Sequence, residues 1–175
     1  QKLFTLISRY DDIQADIVKP AGYKAGDTLK LILPFLKAYD VTDTKMREFS
    51  AQTLVLISNI KNTLQHVRSV ASAFIVSTSY EHYIWALCQT LNFPFKNTYC
   101  TRVSIDKYSL TEKEKTKLQK IAEEIAQIPV IEISPEAESL ADITNEDRKT
   151  VQRLDRIFLE EIADMNIGKI YCEVN

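Results

Sequence analysis

Glycine is scarce in this sequence. Only Gly22, Gly26 and Gly168 occur in 175 residues, against roughly 12 at ordinary usage. A glycine-rich loop of the kind that cradles phosphates is therefore absent from this stretch. Cysteine is scarce too. Cys88, Cys100 and Cys172 lie far apart with no C-x-x-C pair, which excludes a zinc ribbon or a vicinal redox pair and reads as reduced packing thiols in a cytoplasmic protein. Charge of one sign is also lacking: the formal net charge is −2. Without a basic stripe, nucleic acid is not expected as a partner. No apolar run approaches the ~20 residues of a membrane span, so no direct membrane insertion is expected. The chain opens on Gln1-Lys2-Leu3-Phe4 without a methionine or a leader pattern, and closes on Ile170-Tyr171-Cys172-Glu173-Val174-Asn175. Together with the missing glycine loops, these ends read as those of an internal piece of a longer protein.

What is present is ordinary globular material, 45% hydrophobic and 26% charged. Residues 1–18 place Leu3, Leu6, Ile7, Tyr10, Ile13 and Ile17 at spacings of three and four, predicting an amphipathic helix that Lys19-Pro20-Ala21-Gly22 ends. Asp27 is the expected N-cap of the next helix, which Pro34 should kink or restart. Thr42 or Asp43 caps a short helix through Phe49. Residues 1–51 thus read as a helical module. From residue 52 the pattern alternates: a strand at 53–57, a helix capped by Ser58 to about Val70, a strand at 73–77, a helix at 80–91 and a strand at 99–105. Helix and strand in alternation predict a parallel α/β sheet over 52–106. Residues 107–168 read as a mainly helical insertion. It contains a capping box at Thr111 and Glu114, a possible strand at 130–133, and a helix opened by Thr144 and closed by Gly168 as its C′ residue. Residues 169–175 are expected to return to the sheet as a strand. Trp85, on the helix at 80–91, is expected in the core.

One junction stands out chemically. The apolar run Ala73-Phe74-Ile75-Val76 ends in Ser77-Thr78-Ser79, and a helical pattern begins at Tyr80. A strand end, hydroxyls and a helix N-terminus together suit an anion, because first-turn N–H groups lack intrahelical partners and the helix dipole favours negative charge. On local grounds Ser77, Thr78 and Ser79 are interchangeable as phosphate donors, and any of them could instead be a simple N-cap.

Longer blocks narrow the choice. Leu56 to Arg68 followed by Phe74-Ile75-Val76-Ser77 resembles the second motif region of the haloacid dehalogenase superfamily, where a helix precedes an apolar strand ending in Ser or Thr. Ser58-Asn59 stands where that family has Pro-Gly. Ile7-Ser8-Arg9-Tyr10-Asp11-Asp12, Gly22 to Leu29, Ile75 to Tyr83 and Ile167-Gly168-Lys169-Ile170 are similar to an archaeal branch of it. Members of that branch are named as the R subunit of an energy-converting hydrogenase or as dehalogenase-like hydrolases. The resemblance implies an α/β fold: a partial Rossmann-like core with parallel strands, a helical cap and a mainly helical insertion. It implies a phosphohydrolase of small phosphorylated metabolites working through a phosphoaspartate, with magnesium as cofactor. The alternative it carries is an accessory subunit beside hydrogenase complex subunits. Of the family's four motifs only the second maps here, onto Ser77, with Thr78 as a backbone donor and Ser79 as the N-cap. The nucleophilic aspartate and the magnesium ligands would lie outside this chain. Arg9, Tyr10, Lys24 and Asp27 are the candidate cap contacts to substrate, and Tyr80, Glu81 and His82 the candidate pocket lining.

Overall fold

The computed structural model describes residues 1–21, 23, 26–134 and 136–174. Its elements are α1 (Lys2–Ile13), α2 (Thr28–Leu31), α3 (Leu33–Ala38), α4 (Asp43–Thr53), α5 (Ile60–Val70), β1 (Ile75–Tyr80), α6 (Glu81–Leu91), β2 (Thr98–Thr101), α7 (Glu112–Gln127), α8 (Asn145–Asp155) and α9 (Ile170–Glu173). Two wide π-type segments, Gln14–Val18 and Arg156–Ile162, continue α1 and α8. The fold is mostly helical, with a small two-stranded parallel sheet, and is of the α/β kind.

The chain forms two compact units, each discontinuous in sequence. One comprises Gln1–Asp40 with Tyr108–Glu173, the other Val41–Lys107 with Val174. The segment expected as one cap, 1–51, is divided between them: α1 to α3 join the 107–168 region, while α4 packs on α6.

Among the described residues the regular elements of the first unit are all helices. The apolar stripe of α1 supplies Leu6, Ile7, Tyr10 and Ile13, and α7 supplies Leu118, Ile121, Ala122 and Ile125, all buried. α7 packs against both α1 and α3. Phe158 lies in the middle, with its ring 5.1 Å from Tyr10 and edge-on to Phe35 at 6.3 Å. Pro34 falls in the first turn of α3, where its missing N–H costs no helical bond, and the helix restarts there as expected. Thr111 and Glu114 close the predicted capping box, and Thr144 Oγ1 accepts from the Asp147 N–H to cap α8.

Two carboxylates gather polar groups in this unit, while Arg148 Nε and Tyr171 Oη are buried without a hydrogen-bond partner among the described residues. Asp11, 5% exposed, accepts from Tyr23 Oη at 2.8 Å, the Gly26 N–H at 3.0 Å and Thr28 Oγ1 at 2.7 Å. One oxygen of Asp155 accepts from Tyr10 Oη at 2.8 Å and Gln14 Nε2 at 2.7 Å, tying the first wide segment to the residue that opens the second.

The second unit carries the sheet. β1 and β2 pair in parallel with Ile75 opposite Thr98 and Val76 opposite Tyr99. The ladder is irregular from Val76 to Tyr80, where pairing resumes with Thr101. Ile75 and Cys100 face a cluster of Ile84, Cys88, Leu91 and Phe93, with Ile60 and Leu64 of α5 beside it. Trp85 lies outside that core and is 40% exposed, correcting the expectation.

Several expected strands are not strands. Leu54–Ile57 and Val130–Ile133 run without regular structure, and Val55 is 87% exposed. A short β-branched run becomes a strand only where a neighbour pairs with it, and neither run has one among the described residues. The strand expected at 99–105 stops at Thr101 because carboxylates capture the next backbone donors: Val103 N–H goes to Glu81 and Ile105 N–H to Asp43. The closing strand expected at 169–175 is instead the short helix α9 over Ile170–Glu173. Before it, Gly168 sits inside a 3₁₀ turn rather than at a C′ position; a Cβ there would lie 2.5 Å from the carbonyl oxygens of Ile162 and Ala163. Asp27 occupies the N-cap position without a side-chain cap and pairs with Lys30 at 3.0 Å. Asn59, in the left-handed region at φ 67°, takes the N-cap place expected of Ser58.

Candidate functional site

The hydroxyl run Ser77-Thr78-Ser79 does not end its strand. β1 continues through Tyr80, and Tyr80 is the N-cap of α6, correcting the assignment of Ser79 to that place. The three residues coincide instead with the irregular stretch of the ladder. Such irregularities re-aim side chains and interrupt pairing, so the chain leaves regular sheet geometry at Ser77, four residues ahead of Glu81, where α6 begins.

Within this stretch Ser77 Oγ accepts the Ser79 N–H at 3.1 Å. That bond occupies one lone pair of Ser77 and commits the Ser79 donor, leaving the Ser77 O–H as the hydroxyl proton that can be given to a ligand. Thr101 Oγ1 donates to the Thr78 carbonyl at 2.7 Å, fastening the end of β2 across the same stretch. Ser77 and Ser79 are half-buried and Thr78 is exposed.

Glu81, in the first turn of α6, already complements the helix dipole. Its carboxylate accepts from the Val103 N–H at 3.0 Å and from Arg102 at 3.3 Å, bracing α6 against the segment after β2. Arg102 in turn lies over the Phe95 ring, 4.5 Å from its centroid. Tyr80 is half-buried, and burial raises its phenol pKa. His82, expected to line a pocket, is 1% exposed and points its Nε2 at Asp43 Oδ1, 2.9 Å away. Its Nδ1 is buried with no partner among the described residues, so the tautomer with its proton on Nε2 fits the site.

Asp43 is the residue sequence reasoning undervalued. It is a helix-start residue in the sequence and a hub in the structure. Besides His82 it accepts from Ser104 Oγ at 2.6 Å and Ile105 N–H at 2.9 Å, while its own N–H goes to Asp106 at 3.1 Å. Burial pushes its carboxyl pKa up, but the bonds from Ser104, Ile105 and His82 outweigh this and hold it below the usual range. Nothing local signals a contact 39 residues away, although an Asp at a helix start and an early-helix His were each visible.

The cap candidates lie in the other unit. Arg9 is exposed and pairs weakly with Asp12 at 3.7 Å. Tyr10 is buried at 1% exposure and bonded to Asp155, so it packs the core rather than facing a ligand. Asp27 is held by Lys30. Lys24 lies outside the described residues. That unit also has a groove of about 670 Å³ lined by Glu132, Asp142, Thr144, Glu146 and Asp147. Its carboxylates make it unsuited to a phosphorylated ligand, and Asp142 and Asp147 are already bonded to Ser139 and Thr144. Among the described residues no group of three or more His, Cys, Asp or Glu side chains could hold a metal ion. The magnesium that the family resemblance implies finds no ligand set among the described residues.

No protein-family model matches the chain, and no curated protein matches it. It is similar in fold to a solved structure, that of gene product AF1437 from Archaeoglobus fulgidus, at a TM-score of 0.76 and 22% identity. The likeness covers 99% of this chain and 49% of that one, so the chain spans about half the length of the structure it matches. At this identity the likeness establishes the fold. Among the described residues no helix is long and apolar enough to cross a membrane.

Proposed function

We propose that this chain is part of a dehalogenase-type phosphohydrolase acting on a small phosphorylated metabolite, and that its own contribution is to hold the phosphoryl group at Ser77. The observation that carries this reading is the position of the hydroxyl run. It occupies the irregular stretch of the β1–β2 ladder, between the Val76–Tyr99 and Tyr80–Thr101 pairs, on the strand that leads into α6. A hydroxyl proton free to donate, on the strand that leads into an 11-residue helix, suits the oxygens of a phosphoryl group. The resemblance of Phe74 to Ser77 and the preceding helix to the family's second motif supports the same assignment. The reacting carboxylate and the metal ligands belong, on this reading, to polypeptide outside residues 1–175.

The test is Ser77→Ala in the polypeptide that carries residues 1–175 in its natural reading frame, assayed on a generic phosphate ester with magnesium. Loss of one oriented donor to a developing oxyanion typically costs about 2.7–4 kcal/mol, or roughly 10²–10³ in kcat. A fall of that size is expected. Unchanged turnover removes Ser77 from the chemistry. Absence of turnover in the wild type as well returns the chain to the accessory role beside a hydrogenase, which co-purification then examines.

A further inference from the structure

The parallel sheet of the second unit is dressed on one side only. Ile75, Thr98 and Cys100 face α5 and α6. On the opposite side Phe74 is 58% exposed, Val76 81% and Tyr99 64%. Val76 and Tyr99 are register partners, and the Phe74 and Tyr99 rings lie 6.3 Å apart. The three thus form one contiguous apolar face.

Parallel sheets occur almost only with both faces covered, and a two-stranded sheet is not stable by itself. A face meant for water would carry charge, and an edge meant for water would carry lysine, proline or a like device. Ile75–Tyr80 and Thr98–Thr101 contain no charged residue and no proline. Only two strands pair among the described residues, so each has an unpaired edge there. The structure of matching fold has as much chain again outside the likeness as within it.

From this we infer that the Phe74–Val76–Tyr99 face is a docking surface, and that its occupant is a further α/β segment of the same polypeptide outside residues 1–175. That segment lays an apolar helix on the face and a parallel strand along a free edge. The inference is independent of the reading of Ser77: the face needs cover whether or not the hydroxyl run holds phosphate.

A Val76→Cys variant tests it by its rate of reaction with a small thiol reagent, followed at residue 76 by peptide mass spectrometry. Labelling is expected to be fast in residues 1–175 alone and at least about 100-fold slower in the polypeptide extended in its natural reading frame, as opening of a covered face becomes limiting. Val76→Lys is expected to lower the Tm of the extended polypeptide by several degrees and to leave that of residues 1–175 unchanged. Equal labelling in both proteins overturns the inference, as does a reading frame that supplies no further α/β sequence. Labelling of residues 1–175 that slows as protein concentration rises overturns it in favour of a second copy of this chain on the face.

Discussion

The two units bury their apolar residues by different means. In the helical unit Phe158 packs against Tyr10 of α1 and Phe35 of α3, α7 packs on both helices, and the buried carboxylate Asp11 and the half-buried Asp155 each accept more than one hydrogen bond. In the sheet unit one face is packed and the other carries Val76 at 81% exposure. The unit that carries the candidate phosphate residue is therefore the less finished one. A core closed by helices needs nothing more, whereas a parallel sheet closed on one side still has apolar surface to bury.

The largest expected effect separates the two surfaces directly. Phe158→Ala removes a ring at 1% exposure from the middle of the helical unit, and a loss of roughly 3–5 kcal/mol is expected in denaturant unfolding. Val76→Ala, in residues 1–175 alone, should stay within about 0.5 kcal/mol of wild type. Comparable losses at the two sites would break the contrast.

Asp43 comes next, because the sheet unit does have one fully used polar hub. Asp43→Ala strands the Ile105 N–H and the His82 Nε2 in the interior, at about 1–3 kcal/mol per buried group left without a partner. Its folded pKa is lowered, so its contribution is present above the unfolded carboxyl value, about 3.9, and is lost as pH falls through the folded value. Stability measured from pH 6 down to pH 2 should therefore fall less steeply in Asp43→Asn than in wild type. Parallel curves would mean the carboxylate does not hold the unit together.

Gly168→Ala is expected to cost roughly 1–3 kcal/mol, through overpacking against the Ile162 and Ala163 carbonyls. It acts on the helical unit, so the effect should appear in melting of that unit while exchange at β1 stays as in wild type.

The helices were the readable part of the sequence. The stripe of Leu6, Ile7, Tyr10 and Ile13, the restart at Pro34, the Thr42 and Thr144 caps and the Thr111–Glu114 box are local signals, and each is realised locally. The strands were less readable, because pairing decides them. Leu54–Ile57 and Phe74–Val76 are both short apolar runs, and only the second enters a strand that finds a neighbour. Where carboxylates replaced a ladder, as Glu81 and Asp43 do for Val103 and Ile105, the competing partner lay 22 and 62 residues away. The placement of the candidate site residues was half legible. The hydroxyl run lies near the start of α6, but the burial of His82 and Tyr10 follows from long-range bonds to Asp43 and Asp155 that no local pattern announces.

The contrast between a closed helical core and an open sheet is tested most directly by amide hydrogen exchange on residues 1–175. Ile121, Ala122 and Ile125 of α7 should exchange only through global unfolding, and the amides of Ile75–Tyr80 at least about 100-fold faster, through local opening of the uncovered sheet. Exchange at β1 as slow as at α7 would contradict the account, because the two cores would then be equally closed.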